Sequence, residues 1–313
     1  MGKIDIETNR YLRNNAHFAD AFNFLLYDGR PVVAAEALKP LDTREIAVPY
    51  VKDAREPKQR SRDELKMWQA MMDDDAVYVV LGAENQAKIH YAMPVKNMVY
   101  DALNYSAQVE EKRKSYRRTH QESDKERQHL RSDEFLSGFR KDDRLMPVIT
   151  LVIYWGASKW TGPRSIHDML STKDKTLLSF VQDYRIHLIA PFHTADSDFE
   201  KFHTDLGKVL QFIKYSEDKK TLDCILHKGD RFRRLDYDSA NLINVITGSA
   251  LTLKKEEKVD MCKAIDDMRK ETQEETLLET VRNVMRTMCV TAKEAMNIML
   301  VPAEIQEKLL ARL

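Results

Sequence analysis

A chain of 313 residues in which 50 lysines and arginines meet 50 aspartates and glutamates carries no formal net charge, which argues against a protein that coats nucleic acid by bulk electrostatics. Hydrophobic residues make up 43% and charged residues 32%, the balance of a folded chain of one to three domains with a sizeable core. No apolar run approaches the ~20 residues that span a bilayer, the opening MGKIDIETNR has no apolar signal region, and Cys224, Cys262 and Cys289 lack zinc-type spacing, which suits a reducing cytoplasm.

In chain order, Asn14 or Asn15 is placed to cap a first helix with Phe18, Phe22 and Leu25 on its inner face, Asp20 among them and Gly29 at its end. Residues 43–51 alternate as a strand does, and 55–63 (REPKQRSRD) is basic and turn-like. By composition alone, Asp63 reads as the cap of a helix over ELKMWQAM, or as a surface partner of Lys66. Asp73, Asp74 and Asp75 point different ways along a backbone, so they read as a solvated loop. Ala76–Leu81 is short, unbroken, apolar and β-branched, the pattern of a buried strand.

At the end of that strand stand Glu84, Asn85 and Gln86. Alternation aims Glu84 and Gln86 at one face. A carboxylate there is costly unless a metal ion or a cationic side chain pairs with it. Pro94 suits the first turn of the next helix. Val95, Met98, Val99, Ala102, Leu103 and Val109 then recur at helical spacing and predict an apolar face against the sheet.

Residues 112–131 hold eight lysines and arginines against three acids and hardly any apolar side chain. They form an exposed helix extension or a partly disordered loop. A solvated face and a phosphate-contacting arm are both open readings; the second would use Lys112, Arg113, Lys114, Arg117 and Arg118. Pro147–Trp155 is a second apolar strand, Gly162-Pro163 a turn, 165–170 a short helix and 184–189 a further strand. His167 and His187 read as structural, since no Ser or Cys nucleophile accompanies them.

Asp196, Ser197 and Asp198 predict a capped helix from Phe199 to about Tyr215. Beyond it the chain turns helical: one helix or two over 252–289, a capping box at Thr291–Glu294 and a last helix after Pro302. These C-terminal helices lack a basic face. They read as a packing module, the candidate surface for a homo-oligomer.

Well-separated stretches carry a resemblance: RYLRNNAHFADAFNFLL (10–26), RSRDELK (60–66), VLGAENQ (80–86), HYAMPVKNMVYDALNY (90–105), EFLSGFRKDDRLMPVITLVIYWG (134–156) and WTGPRSIHDML (160–170). IHLIAPF, FHTDLGKVLQFIKY and VDMCKAIDDM extend it to about residue 270. In this order the set resembles the recombination-promoting nuclease family (the Rpn or YhgA-like putative transposases) of the PD-(D/E)XK nuclease superfamily. The resemblance implies an α/β fold: a restriction-endonuclease-like core over 1–215, with a mixed central sheet flanked by helices and a basic insert at about 110–133. An all-helical region, 216–313, would follow.

It further implies a Mg²⁺-dependent (or Mn²⁺-dependent) DNA endonuclease acting in recombination or mobile-element biology, with DNA and no membrane as partner. Asp63 matches the family's first essential acid and Glu84 its second, with the backbone carbonyl of Asn85 as third metal ligand. Gln86 stands where the superfamily usually has Lys, and it can hold a water by hydrogen bonds but brings no charge. Arg60, Arg62 and Lys66 are candidates to replace that charge. Asp20 and Tyr100 are the candidate supporting residues. A catalytically weak nucleic-acid-binding or interaction protein on the same scaffold is the alternative, because chemistry belongs to the site and not the fold.

Overall fold

The computed structural model describes residues 2–41, 44–47, 58–61, 63–72, 75–122, 132–228, 230–255 and 258–310. Two helices come first, α1 (Lys3–Arg13) and α2 (Asn15–Tyr27). Asn14 parts them: its backbone is extended and its side-chain oxygen accepts the Ala16 N–H at 2.9 Å, so Asn14 is the cap. Apolar periodicity does not announce α1, because its buried stripe is Thr8, Asn9, Tyr11 and Leu12, half of it polar. α2 buries Phe18 and Phe22 and ends at Gly29. A Cβ there would lie 2.6 Å from the Lys201 carbonyl at φ +86°, so only glycine fits.

The strands β1 (Leu38–Pro40), β2 (Arg44–Ala47), β3 (Lys58–Ser61), β4 (Glu64–Met72) and β5 (Asp75–Gln86) follow. ELKMWQAM is therefore a strand and not a helix, and Asp63 caps nothing. Burial along β4 has period two, with Glu64, Lys66, Trp68 and Ala70 on the more buried face. Two charged residues on that face disguise the pattern, and pairing with β5 from Glu64↔Ala83 to Met72↔Asp75 overrides local propensity. Asp73 and Asp74, most of the 43–51 strand and Arg62 lie outside the described residues.

After β5 come α3 (Met93–Glu122), α4 (Ser132–Ser137), β6 (Val148–Tyr154), α5 (Ile166–Met169), α6 (Lys175–Ser179), β7 (His187–Ile189), α7 (Leu206–Tyr215) and α8 (Lys219–His227). The mixed sheet runs β1-β4-β5-β6-β7. Its β1, β4 and β5 are antiparallel, while β5, β6 and β7 are parallel. A parallel pair needs a long crossover, and α3 lies in the one between β5 and β6. β5 is thus the central strand, paired along both edges and buried from Val79 to Asn85. β2 and β3 make a separate two-stranded ribbon.

The face that α3 buries differs from the expected one. Val95 and Met98 are each 38% exposed, whereas Met93, Asn97, Tyr100 and Asp101 are buried. Met93 packs with Val152 and Tyr154, Asp101 accepts the Thr150 hydroxyl at 2.5 Å, and the Tyr105 hydroxyl oxygen accepts the Val148 N–H at 3.1 Å. Helix and strand run in opposite directions, four residues of one against two of the other. Four helical residues advance about 6 Å and two strand residues about 6.6 Å, so the match holds along α3. Its buried stripe can carry Asp101 and Tyr105 because β6 offers them polar partners.

The expected helix over 199–215 is broken. A 3₁₀ turn covers Asp196–Lys201, and α7 starts only at Leu206. Asp20 causes the break: its carboxylate accepts the backbone N–H groups of His203 and Thr204, both at 2.9 Å, and the Thr204 hydroxyl at 2.6 Å.

The chain divides into two compact units, Met1–Leu222 with Val245–Thr247, and Asp223–Asn244 with Gly248–Leu313. The second is helical, with most of α9 (Tyr237–Thr247), then α10 (Met261–Met288), α11 (Ala292–Ile298) and α12 (Ala303–Leu310). Leu278, Val281, Ala295, Met296, Val301 and Leu309 form its core, and Thr291 with Glu294 makes the expected capping box. Among the described residues no helix is long and apolar enough to cross a membrane. The three cysteines are free thiols.

Candidate functional site

Asp63 precedes β4 at the end where β5 finishes. Its Oδ2 accepts the backbone N–H of Asn85 at 2.8 Å, and its Oδ1 accepts the side-chain amide of Asn9 at 3.2 Å. Asn9 in turn takes the Asn85 side-chain N–H on its own carbonyl at 2.7 Å. The Asn85 carbonyl oxygen of the side chain accepts the Trp155 indole N–H at 2.8 Å. Four residues from α1, β4's start, β5 and the end of β6 are so linked by hydrogen bonds around the carboxylate. Every donor is neutral, and the three residues that supply them, Asn9, Asn85 and Trp155, are buried. Sequence reasoning missed Asn9 and Trp155. Trp155 ends a recognisable strand, but nothing local marks Asn9.

Alternation turns Glu84 and Gln86 to the opposite face of β5 from Asn85, toward α3, and Glu84 pairs in register with Val152. Glu84 is 1% exposed. Lys96 from the first turn of α3 brings its Nζ to 2.6 Å from Glu84 Oε2 and to 5.7 Å from the Tyr100 ring. Burial pulls the Lys96 ammonium toward deprotonation, but the Glu84 carboxylate, with smaller help from Tyr100 and Asp63, outweighs it and holds the group above the ordinary lysine value. One ammonium is thus under the field of both candidate acids. Removing one partner of such a buried pair typically costs ~3–5 kcal/mol. Gln86 is half-buried on the Glu84 face. Asn97, the residue after Lys96, is fully buried, and neither atom of its amide has a hydrogen-bond partner among the described residues.

Lys66 does not serve this site, nor is it a surface partner of Asp63. It is 2% exposed, on the face of β4 turned to α1. Its Nζ donates to the carbonyls of Leu12 at 3.2 Å and Arg13 at 2.9 Å, and to Asn15 Oδ1 at 2.8 Å. It closes the C-terminus of α1, where a cation complements the helix dipole, above the Phe18 ring. Burial lowers its pKa to about 8 against the opposing pull of Glu64. Burial likewise raises the Glu64 carboxyl, although Lys66 and Arg13 lie beside it.

Asp20 is spent on residues 203 and 204 and is not brought to Asp63. Arg60 lies in β3, opposite Glu45. Arg62 and the side chain of Arg118 fall outside the described residues. Lys112, Lys114 and Arg117 are exposed on the far half of α3, with Arg113 half-buried beside them. Lys112 and Arg113 reach Asp143 and Glu110 at 3.7 Å. The His167 backbone N–H meets the Asp183 carboxylate at 3.0 Å, and its ring nitrogen the Val181 carbonyl at 2.8 Å.

Further along α3, a cavity of about 360 Å³ is lined by Met98, Asp101, Tyr105, Thr150, Tyr184 and His187. Both Asp101 oxygens there are taken by the Thr150 and Tyr184 hydroxyls.

Among the described residues no cluster of three or more His, Cys, Asp or Glu is placed to hold a metal. Mg²⁺ asks for less. One or two carboxylates suffice when waters and substrate phosphate complete its shell. Asp63 and Glu84 are two such carboxylates: the hydrogen bonds on Asp63 leave lone pairs on both oxygens, and the Lys96 side chain beside Glu84 is 27% exposed. What fold and site define is a mixed α/β chain with one acid on its central strand and another just before the neighbouring strand, at the same end of the sheet. Compared with protein-family models, with curated proteins and with solved structures, the chain matches none.

Proposed function

We propose that the chain is a Mg²⁺-dependent DNA endonuclease of the recombination-promoting nuclease type, acting in recombination or mobile-element biology. One observation carries the reading: Asp63 is fastened to the main chain of Asn85, the residue beside Glu84. Asp63 and Glu84 would hold the ion, with the Asn85 carbonyl as third ligand. Bound there, Mg²⁺ or Mn²⁺ supplies charge neutralisation at the phosphate and a more acidic water. Asn9 and Asn85 keep Asp63 oriented. Gln86, on the Glu84 face, orients a water by hydrogen bonding. The positive charge next to Glu84 comes from Lys96 and not from Lys66, which is spent on α1.

A second reading has its own support. The buried Glu84–Lys96 pair neutralises the carboxylate with no metal at all, as suits a scaffold that binds nucleic acid or a partner without cutting. Nicking of supercoiled plasmid, in Mg²⁺ and in EDTA, separates the two. Asp63→Ala and Glu84→Ala are expected to lose at least ~10²-fold in rate, Gln86→Ala to slow cleavage severely and Gln86→Lys to be tolerated or faster, all with DNA binding retained. Cleavage undiminished in Asp63→Ala would move the site elsewhere. A wild type that binds DNA but cuts with no divalent ion gives the second reading.

A further inference from the structure

We infer that Lys96 and a divalent cation exchange at Glu84: the lysine is the carboxylate's counter-ion in the metal-free protein, and it yields the Glu84 oxygen when the ion binds. This rests on the proposed metal site but not on DNA cleavage. Glu84 is 1% exposed, and Lys96 Nζ stands 2.6 Å from its Oε2. A carboxylate so buried stays charged only beside a cation. Either cation suffices; both on one oxygen would set two positive charges against each other.

Lys96 is also not where a helix would choose a lysine. It lies in the first turn of α3, where the positive end of the helix dipole disfavours a cation, so Glu84 and not the helix holds it there. It is free to leave in a way that Glu84 is not. Its side chain is 27% exposed, and the Tyr100 ring one turn on, 5.7 Å from Nζ, offers a second berth by cation–π attraction. Four carbons of flexible stem span the move. The residue after Lys96, Asn97, is buried and its amide keeps its hydrogen-bonding capacity unspent among the described residues, a capacity that the hydration shell of a Mg²⁺-like ion would use.

The test is Mn²⁺ binding by the full chain, read by calorimetry, together with melting temperature in the presence and absence of Mn²⁺. Wild type, Lys96→Gln, Lys96→Arg, Glu84→Gln and Asp63→Ala are compared. Lys96→Gln is expected to bind Mn²⁺ at least ~10-fold tighter than wild type, because no ammonium competes. Without Mn²⁺ it should melt lower, and Mn²⁺ should restore the loss. Lys96→Arg keeps the charge and should bind no tighter than wild type, and Glu84→Gln should bind poorly.

Equal or weaker Mn²⁺ affinity in Lys96→Gln, with Glu84→Gln still impaired, overturns the exchange and leaves the metal site standing. Mn²⁺ binding indifferent to both Glu84→Gln and Asp63→Ala removes the site and the exchange together. Should Lys96→Gln not fold alone, its refolding yield against Mn²⁺ gives the same reading: a rising yield supports the exchange and an indifferent one overturns it.

Discussion

Asp63 accepts the backbone N–H of Asn85 at 2.8 Å, so one candidate acid is tied to the chain neighbour of the other. A main-chain donor inside a sheet cannot rotate away, as a side chain can. The carboxylate therefore inherits its position from the β4–β5 pairing, and α1, through Asn9, closes the remaining freedom.

Asn9→Ala tests that arrangement. It leaves one Asp63 oxygen and the Asn85 amide each short of a partner, so stability should fall by about 1–3 kcal/mol in urea unfolding. If the site cuts DNA, kcat should fall more than DNA affinity, because Asn9 orients an acid and touches no phosphate. Trp155→Phe, which frees the Asn85 side-chain oxygen, should behave alike. A variant that keeps full kcat would show that Asp63 is held by the sheet alone.

Asn97 makes the opposite prediction. A buried amide with no partner costs free energy that an apolar side chain of similar size does not. Asn97→Leu should therefore leave stability unchanged or raise it by about 1 kcal/mol, against the usual loss for a core substitution. Divalent-ion affinity should fall in the same variant. Thermal unfolding and Mn²⁺ titration read the two effects separately, and a marked loss of stability would mean that Asn97 is satisfied in solution.

Lys66 gives the fold a pH signature. Its pKa in the folded chain is about 8 against an ordinary value of 10.5, through burial that Glu64 only partly offsets. Between those two values the unfolded chain binds the additional proton, so the Lys66 contribution to stability rises with pH across that window. The full cost of burying the charge is present below about pH 8. Lys66→Met removes the effect. The stability difference, wild type minus variant, should grow by about 3 kcal/mol from pH 7.5 to 10.5 in urea unfolding. A flat difference would show an unshifted lysine.

The basic half of α3 is testable by salt. Its ion pairs to Glu110 and Asp143 are long, 3.7 Å each, and both cations are exposed although Asp143 is not; a loosely held, exposed cation of this kind contributes little. Lys112, Arg113, Lys114 and Arg117 are thus available to phosphates. Replacing all four with Gln should weaken DNA binding and reduce the slope of log affinity against log salt by roughly 0.9 for each phosphate no longer neutralised. An unchanged slope returns this surface to a solvated helix face.

The legible parts of the chain were those where one face alone decides the structure. The apolar runs at 76–81 and 147–155 became the central strands, and the caps at Asn14, Ser165 and Thr291 sit where side-chain chemistry puts them. Reading failed where polar groups turn inward. β4 hid behind Glu64 and Lys66, α1 behind Thr8 and Asn9, and the true inner face of α3 behind Lys96, Asn97 and Asp101. Asn9, Glu64, Lys66, Lys96 and Asp101 meet partners distant in sequence, and periodicity of apolar residues carries no trace of that. Asp63 and Glu84 were visible as candidates. Lys96, the cation paired with Glu84, was not, because a lysine in a first helical turn looks like surface.

The step-for-step match of α3 on β6 makes the connection at 87–92 a setting of rotational phase. A single residue inserted there would turn the helix by about 100°. Lys96 would turn into the buried place of Asn97, and Asn97 and Asp101 would swing away from the sheet and Thr150, even with every side chain unchanged. Evolution or engineering can therefore rewrite the letters of that connection far more freely than its length.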